Sequence, residues 1–155
     1  MARLHYYTTR VTWTGNLGTG TSHYRAYSRA HEVAAGELPV ILGSSDPTFH
    51  GDASRWNPEQ LLLAALSQCH MLSYLHFCTL GGVVVTSYVD EAAGTMGTAG
   101  DSGQFTEAVV RPRITVGDAS MVDAAIALHE EAHRACFIAN SVNFPVRYEP
   151  TVTVG

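Results

Sequence analysis

The longest apolar stretch of the chain opens at Asn57–Pro58–Glu59 and runs through Leu61, Leu62, Leu63, Ala64, Ala65 and Leu66 to Cys69, His70 and Leu80. Asn57 can cap the first free backbone N–H groups, and Pro58 suits the first helical position because its missing N–H costs nothing there. Gly81–Gly82 supply the positive-φ residue that ends a helix. Together these signals predict one helix of about 23 residues, roughly 34 Å long. Between its two ends its few polar side chains are Ser67, Gln68, His70, Ser73, Tyr74 and His76. A helix with no polar face is a core helix or a membrane span, and the polar groups in its middle favour the core.

On either side of this helix the pattern is that of strands. Tyr7 to Thr14 is β-branched and aromatic, and His23 to Val33 alternates as its hairpin partner across a Gly/Asn/Thr turn at Gly15 to Gly20. A shorter strand, Leu38 to Leu42, leads into a polar loop from Gly43 to Trp56. After the helix come strands at Val83 to Ala92 and Phe105 to Val116, around a glycine-rich turn. A second helix runs from about Ser120 to Ile138, capped by Asp118 or Ser120. Phe144 to Val154 reads as a last strand, and Pro145 and Pro150 put it at a sheet edge. The order β-β-β-α-β-β-α-β predicts an α+β fold in a single domain over residues 1–155.

Charge narrows the function. The chain of 155 residues carries a net charge of −5, and its nine basic residues are all arginine. Without lysine, Schiff-base chemistry and the Gly-Lys-Ser/Thr phosphate loop are excluded. Scattered arginines on an acidic chain argue against a nucleic-acid surface. The opening MARLHYYTTR has no apolar signal segment, so a cytoplasmic, non-membrane protein is expected. Three cysteines in that setting do not make a disulfide framework.

The cysteines are the candidate chemistry. Cys78 is nine residues beyond Cys69, on the opposite side of one helix and ~13.5 Å along it. Those two cannot bridge, because a disulfide needs Cα atoms within about 7 Å. If any pair does redox work, it is Cys69 with Cys136, and the competing reading for each cysteine is a small buried hydrophobe. Cys78, beside Phe77 and near Leu80, keeps that second reading.

The segment NPEQLLLAALSQCH, with Glu59 ten residues before Cys69, resembles the signature of the OsmC/Ohr thiol peroxidases. Ala132–His133–Arg134–Ala135–Cys136 followed by Asn140 resembles the family's companion motif. Trp13–x–Gly15 followed by Gly18–x–Gly20–Thr21 resembles its OsmC branch. The resemblance implies an OsmC-like fold of antiparallel sheets, a long buried central helix and a second helix, assembled as an intertwined homodimer with shared active sites. It implies a cysteine peroxidase that reduces organic hydroperoxides without a cofactor or metal and is recycled by a dithiol such as a lipoyl group. In that reading Cys69 is the peroxidatic residue, Cys136 the resolving one, and Glu59 the carboxylate that orients an arginine. Leu17 stands where related proteins carry that arginine. Arg25, or Arg29 four residues along the same strand face, is the expected substitute, with Arg25 nearer the turn. Gln60 and His70 also depart from the family pattern, where a second Glu and an aromatic are usual. Glu59 and Cys69 lie ~15 Å apart along a straight helix, which fits a carboxylate supplied by the second subunit.

Two other readings compete. His129–Glu130–Glu131–Ala132–His133 matches HExxH, the pattern of zinc hydrolases, which puts two histidines on one helical face. No third ligand is evident in the 22 residues after His133. The bland expectation is an exposed His129 and a His133 packed near Cys136, with the other histidines at the surface or satisfied in the core. The last reading is a non-catalytic binding protein of the same fold.

Overall fold

A computed structural model describes residues 3–155, and the chain divides into two compact units, Met1–Leu61 and Leu62–Gly155. The first unit holds strands β1 (Arg10–Trp13), β2 (His31–Ala34) and β3 (Ile41–Gly43), paired antiparallel in the order β1-β2-β3. These strands are shorter than the alternation predicts, and 23–30 is not strand at all. Local side chains compete for that backbone: His23 Nδ1 accepts from the Arg25 N–H, Ser28 Oγ accepts from that of Ala30, and the Arg29 guanidinium donates to the Tyr24 and Tyr27 carbonyls. What survives of the expected hairpin there is the isolated bridge between Asn16 and Tyr27, with the Thr14 N–H on the Ala30 carbonyl and the Ser28 N–H on that of Gly15, both at 2.9 Å. The loop before the helix contains one 3-10 turn at Pro47–Phe49, capped by Asp46.

Helix α1 spans Pro58–Leu80, as its start and stop signals predict. Asn57 Oδ1 accepts from the Gln60 N–H at 2.8 Å, and Gln60 Oε1 accepts from the Asn57 N–H at 3.2 Å. This is a reciprocal capping box, so the glutamine has a structural use. At the other end the Val83 N–H reaches back to the Cys78 carbonyl, with Gly82 at φ 69°.

The second unit adds β4 (Val85–Asp90), β5 (Ala93–Ala99), β6 (Ser102–Val110), β7 (Pro112–Val116), α2 (Val122–Ala135), β8 (Val146–Tyr148) and β9 (Thr151–Val154). The α+β class is as expected, but the sheets are mixed. Their orders are β4-β7-β9 and β5-β6-β8, with β6/β8 and β7/β9 parallel. The expected glycine-rich turn is largely strand β5. Pairing with β6 overrides the low strand propensity of its glycines. A side chain at Gly94 would come within 2.6 Å of the Phe105 ring, so glycine there leaves room for the aromatic ring. The last expected strand is two short ones, broken at Glu149–Pro150, and both lie at sheet edges as the prolines suggested.

α1 is long and apolar enough to cross a membrane, yet it is not buried all round. Leu66, His70, Tyr74 and Cys78, four residues apart, are its buried stripe, while Leu72 is 61% exposed. The stripe meets α2 through two rungs. His70 Nε2 and His129 Nδ1 are hydrogen-bonded at 3.0 Å, and the Tyr74 hydroxyl donates to the Ala125 carbonyl at 2.9 Å. One step along α1 is one step back along α2, so the helices meet antiparallel. The Tyr74 and His129 rings stack with centroids 3.9 Å apart. Tyr74, Cys78, Val83, Ile114, Val116, Ala125 and Ala132 form the surrounding core.

Burial pushes the imidazole of His70 down to about 4, with the nearby His133 acting the same way and Asp90 opposing. Burial, then His70, pushes that of His129 down to about 3. Both folded values lie below the ordinary 6.5, so the unfolded chain binds protons that the folded one refuses. Stability is complete above about pH 6.5 and is lost progressively as pH falls from there toward 4, at a slope approaching two protons. Urea unfolding midpoints measured from pH 7 to 4.5 are expected to fall in this way. The fall should be largely abolished in the variant carrying both His70→Leu and His129→Leu, whereas a flat wild-type profile would contradict the assignment.

Candidate functional site

Cys69 lies mid-way along α1, partly exposed, and Cys136 is the residue at which α2 ends. Cys136 leaves helical geometry at φ −70°, ψ 108° while its N–H still bonds the His133 carbonyl. Asn140 fixes this corner from both sides. Its backbone N–H donates to the Cys136 carbonyl at 3.0 Å, and its side-chain amide donates to the Arg134 carbonyl at 3.1 Å. The companion motif thus has a physical reading: it turns the chain so that Cys136 faces inward, 1% exposed.

Cys69 neighbours Cys136 closely enough to act on its ionisation. Burial pushes the Cys136 thiol up, and the adjacent Cys69 adds to this, while the N–H groups of Ala139 and Ile138 pull the other way. Cys136 is therefore held protonated at neutral pH. Cys69 opens onto a groove of about 640 Å³, walled by Leu72 and Phe77 of α1 and by Ala135, Phe137 and Ile138 at the end of α2. Gln68, Ser73 and His76 are the groove's polar groups. The sulfur a small molecule meets first is that of Cys69, and the one behind it is that of Cys136. Cys78 is buried, pushed up by desolvation and beside Tyr74, which agrees with its reading as a small core hydrophobe.

The arginines are placed differently from expectation. Neither Arg25 nor Arg29 lies on a strand, so they share no strand face. Arg29 is committed locally. Its guanidinium donates to the carbonyls of Tyr27 and Tyr24, both at 2.8 Å, and lies 4.2 and 4.4 Å from the centres of those rings. Arg25 is exposed, and no side-chain hydrogen bond or ion pair joins it to Glu59 among the described residues. Glu59 has one buried carboxylate oxygen, Oε2, with no hydrogen-bond partner. A buried carboxylate oxygen without a donor is costly.

The HEEAH segment is not what either sequence reading expected. His129 is fully buried rather than exposed, because it shares the inward face of α2 with Ala125 and Ala132. Its Nδ1 is taken by His70, its Nε2 has no partner, and Glu130 accepts from the Tyr148 hydroxyl. His133 packs on the Tyr148 ring at 5.1 Å. No three His, Cys, Asp or Glu side chains converge as metal ligands among the described residues. The His70–His129 pair was missed in the sequence, although a signal existed. The spacings 66-70-74-78 and 125-129-132 put both histidines on the stripes that face each other.

The family model described as OsmC-like protein matches residues 51–150, which include Glu59, Cys69 and Cys136 but not Arg25. No curated protein matches the sequence. Among solved structures, an OsmC-like protein of unknown function from Vibrio cholerae is 30% identical with a TM-score of 0.86, over 96% of this chain and 100% of that one. An organic hydroperoxide resistance protein OsmC from Legionella pneumophila is 16% identical with a TM-score of 0.67, over 98% and 99% of the two chains. An organic hydroperoxide resistance protein from Elizabethkingia anophelis is 16% identical with a TM-score of 0.69, over the whole of both. The last two likenesses are of fold alone. With a family match over most of its length and this fold, the chain belongs to the OsmC-like protein family.

Proposed function

We propose that the protein is a thiol peroxidase that reduces organic hydroperoxides through Cys69 and Cys136. The observation that carries this reading is the pair of free, neighbouring thiols, one partly exposed on an apolar groove and the other buried and protonated behind it. The thiolate of Cys69 attacks the outer oxygen of the hydroperoxide. The O–O bond breaks, the alkoxide leaves and takes a proton as an alcohol, and Cys69 becomes a sulfenic acid. Cys136 then attacks the Cys69 sulfur, and the two thiols become a disulfide as water departs. A dithiol reductant returns both cysteines to thiols and is itself oxidised to a disulfide. The apolar walls of the groove suit a hydroperoxide with a hydrocarbon body, which excludes water and leaves the peroxide group for Cys69.

If this order of events holds, Cys136→Ser treated with cumene hydroperoxide accumulates a sulfenic acid at Cys69 that dimedone traps. Cys69→Ser should consume hydroperoxide only at the background rate, and Cys78→Ser should behave like wild type. Full activity in Cys69→Ser would contradict the assignment.

The proposal extends to charge and assembly. Arg25 is the guanidinium assigned to the peroxide side, since Arg29 is tied to its own loop, and Glu59 is the carboxylate that orients it in a shared site between two copies. Exposed apolar groups on both units support such an assembly: Val11 and Leu42 on the small sheet, Leu72 and Leu80 on α1, and Phe137. Arg25→Ala is expected to slow the first oxidation step roughly tenfold to a hundredfold, the worth of a charge-assisted hydrogen bond, with little change in the resolving step. Arg29→Ala should change it far less, and the reverse ranking would move the role to Arg29. Sedimentation at micromolar concentration should give a dimer, and a clean monomer would remove the shared site.

A further inference from the structure

The pair of cysteines depends on how two helices are held, because Cys69 belongs to α1 and Cys136 to the end of α2. Among the described residues, only two side-chain hydrogen bonds link these helices: His70 to His129, and Tyr74 to the Ala125 carbonyl. The first is the nearer of the two to the cysteines. His70 follows Cys69 directly, and His129 precedes Cys136 by seven residues, two helical turns, on the same inward face. Both imidazoles are buried, at 3% and 0% exposure.

We propose that the His70–His129 hydrogen bond is a positioning element for the cysteine pair, fixing the rotation of α1 against α2 so that the Cys69 and Cys136 sulfurs stay within bonding distance. This rests on the peroxidase reading given above. The donor follows from the orphaned atom. If His70 donated, His129 would carry its proton on Nε2, leaving a buried N–H with no partner. If His129 donates from Nδ1 to His70 Nε2, His129 leaves only a lone pair unused, and the His70 proton sits on Nδ1, which is not among the fully buried unpartnered atoms. This is the less costly arrangement. Apolar packing is non-directional and would leave α1 free to roll by small angles. On a helix of about 5 Å radius a roll of about 10° carries a side-chain tip by about 1 Å. That displacement is large against the narrow geometry of a disulfide, and misplacement on this scale costs on the order of a hundredfold in a reaction between positioned groups. The step at stake is condensation: the Cys136 sulfur bonds to the Cys69 sulfur, the S–O bond of the sulfenic acid breaks, and the oxygen leaves as water with the thiol proton.

The variants that separate this role from simple space-filling are His129→Leu and His129→Asn. Leucine fills the core without a donor, whereas the asparagine amide can donate from the place of Nδ1. Two quantities are read for each: the equilibrium of the Cys69–Cys136 disulfide against glutathione, and the separate rates of Cys69 oxidation and of condensation by quenched-flow mass spectrometry. His129→Leu is expected to lower the disulfide equilibrium constant and slow condensation, each by about tenfold. Cys69 oxidation should stay within about twofold, and His129→Asn should restore both quantities to within about threefold of wild type. Should His129→Leu fail to fold, His70→Leu and His70→Gln break and restore the same bond from α1, since the glutamine oxygen can accept in place of Nε2. Leucine variants with wild-type equilibrium and condensation rate would overturn the proposal. So would asparagine and glutamine variants as impaired as the leucine ones. A wild-type protein that forms no disulfide with hydroperoxide refutes the peroxidase reading instead, and the glutathione equilibrium still tests the tie.

Discussion

The second unit is built on a contact between two helices that is polar at its centre. An imidazole and a tyrosine hydroxyl lie on the most buried stripe of α1, between Leu66 and Cys78, and meet a second imidazole and a backbone carbonyl of α2. Burying such groups is tolerable only when they are hydrogen-bonded and neutral. Neutrality is supplied by desolvation, which drives both imidazoles far below their ordinary value. The contact therefore fixes direction as well as proximity. It also explains how a helix apolar enough to cross a membrane can sit one-sided in this unit, with leucines such as Leu72 and Leu80 left uncovered.

The same contact makes the two cysteines unlike. One helix carries a cysteine to the wall of an open groove. The other ends at a cysteine whose corner is fixed by Asn140 and whose thiol is kept protonated by burial. That asymmetry is what a two-step thiol reaction requires. The sulfur that meets the peroxide needs access, and the sulfur that meets the sulfenic acid needs only to be near, behind it and shielded from the oxidant.

The sequence was most legible where local chemistry decides the structure. Asn57, Pro58 and Gly82 bound α1 at the residues they predict, Asp118 caps the turn that leads into α2, and the two late prolines mark edge strands. It was least legible where tertiary pairing overrides local preference. The glycines of β5 read as a turn because nothing local reveals β6 beside them. The alternation at 23–30 read as a strand although side chains there bind the nearby backbone instead. The cysteine pair could be anticipated from two helices and a resemblance to a known family. The histidine pair could not be seen without setting the buried stripes of both helices face to face. His129 in particular looked exposed, because its neighbours Glu130 and Glu131 give the segment a polar character that belongs to the other face.

In the proposed reaction a hydroperoxide converts two thiols of one chain into a bond between them. Intact-mass spectrometry of the reduced protein after one equivalent of cumene hydroperoxide tests it most directly. The predicted product is lighter by two hydrogens, with a single cross-link joining the peptides of Cys69 and Cys136 and with Cys78 still alkylatable. An unchanged mass, a lasting gain of oxygen without a cross-link, or a bridge through Cys78 would contradict it.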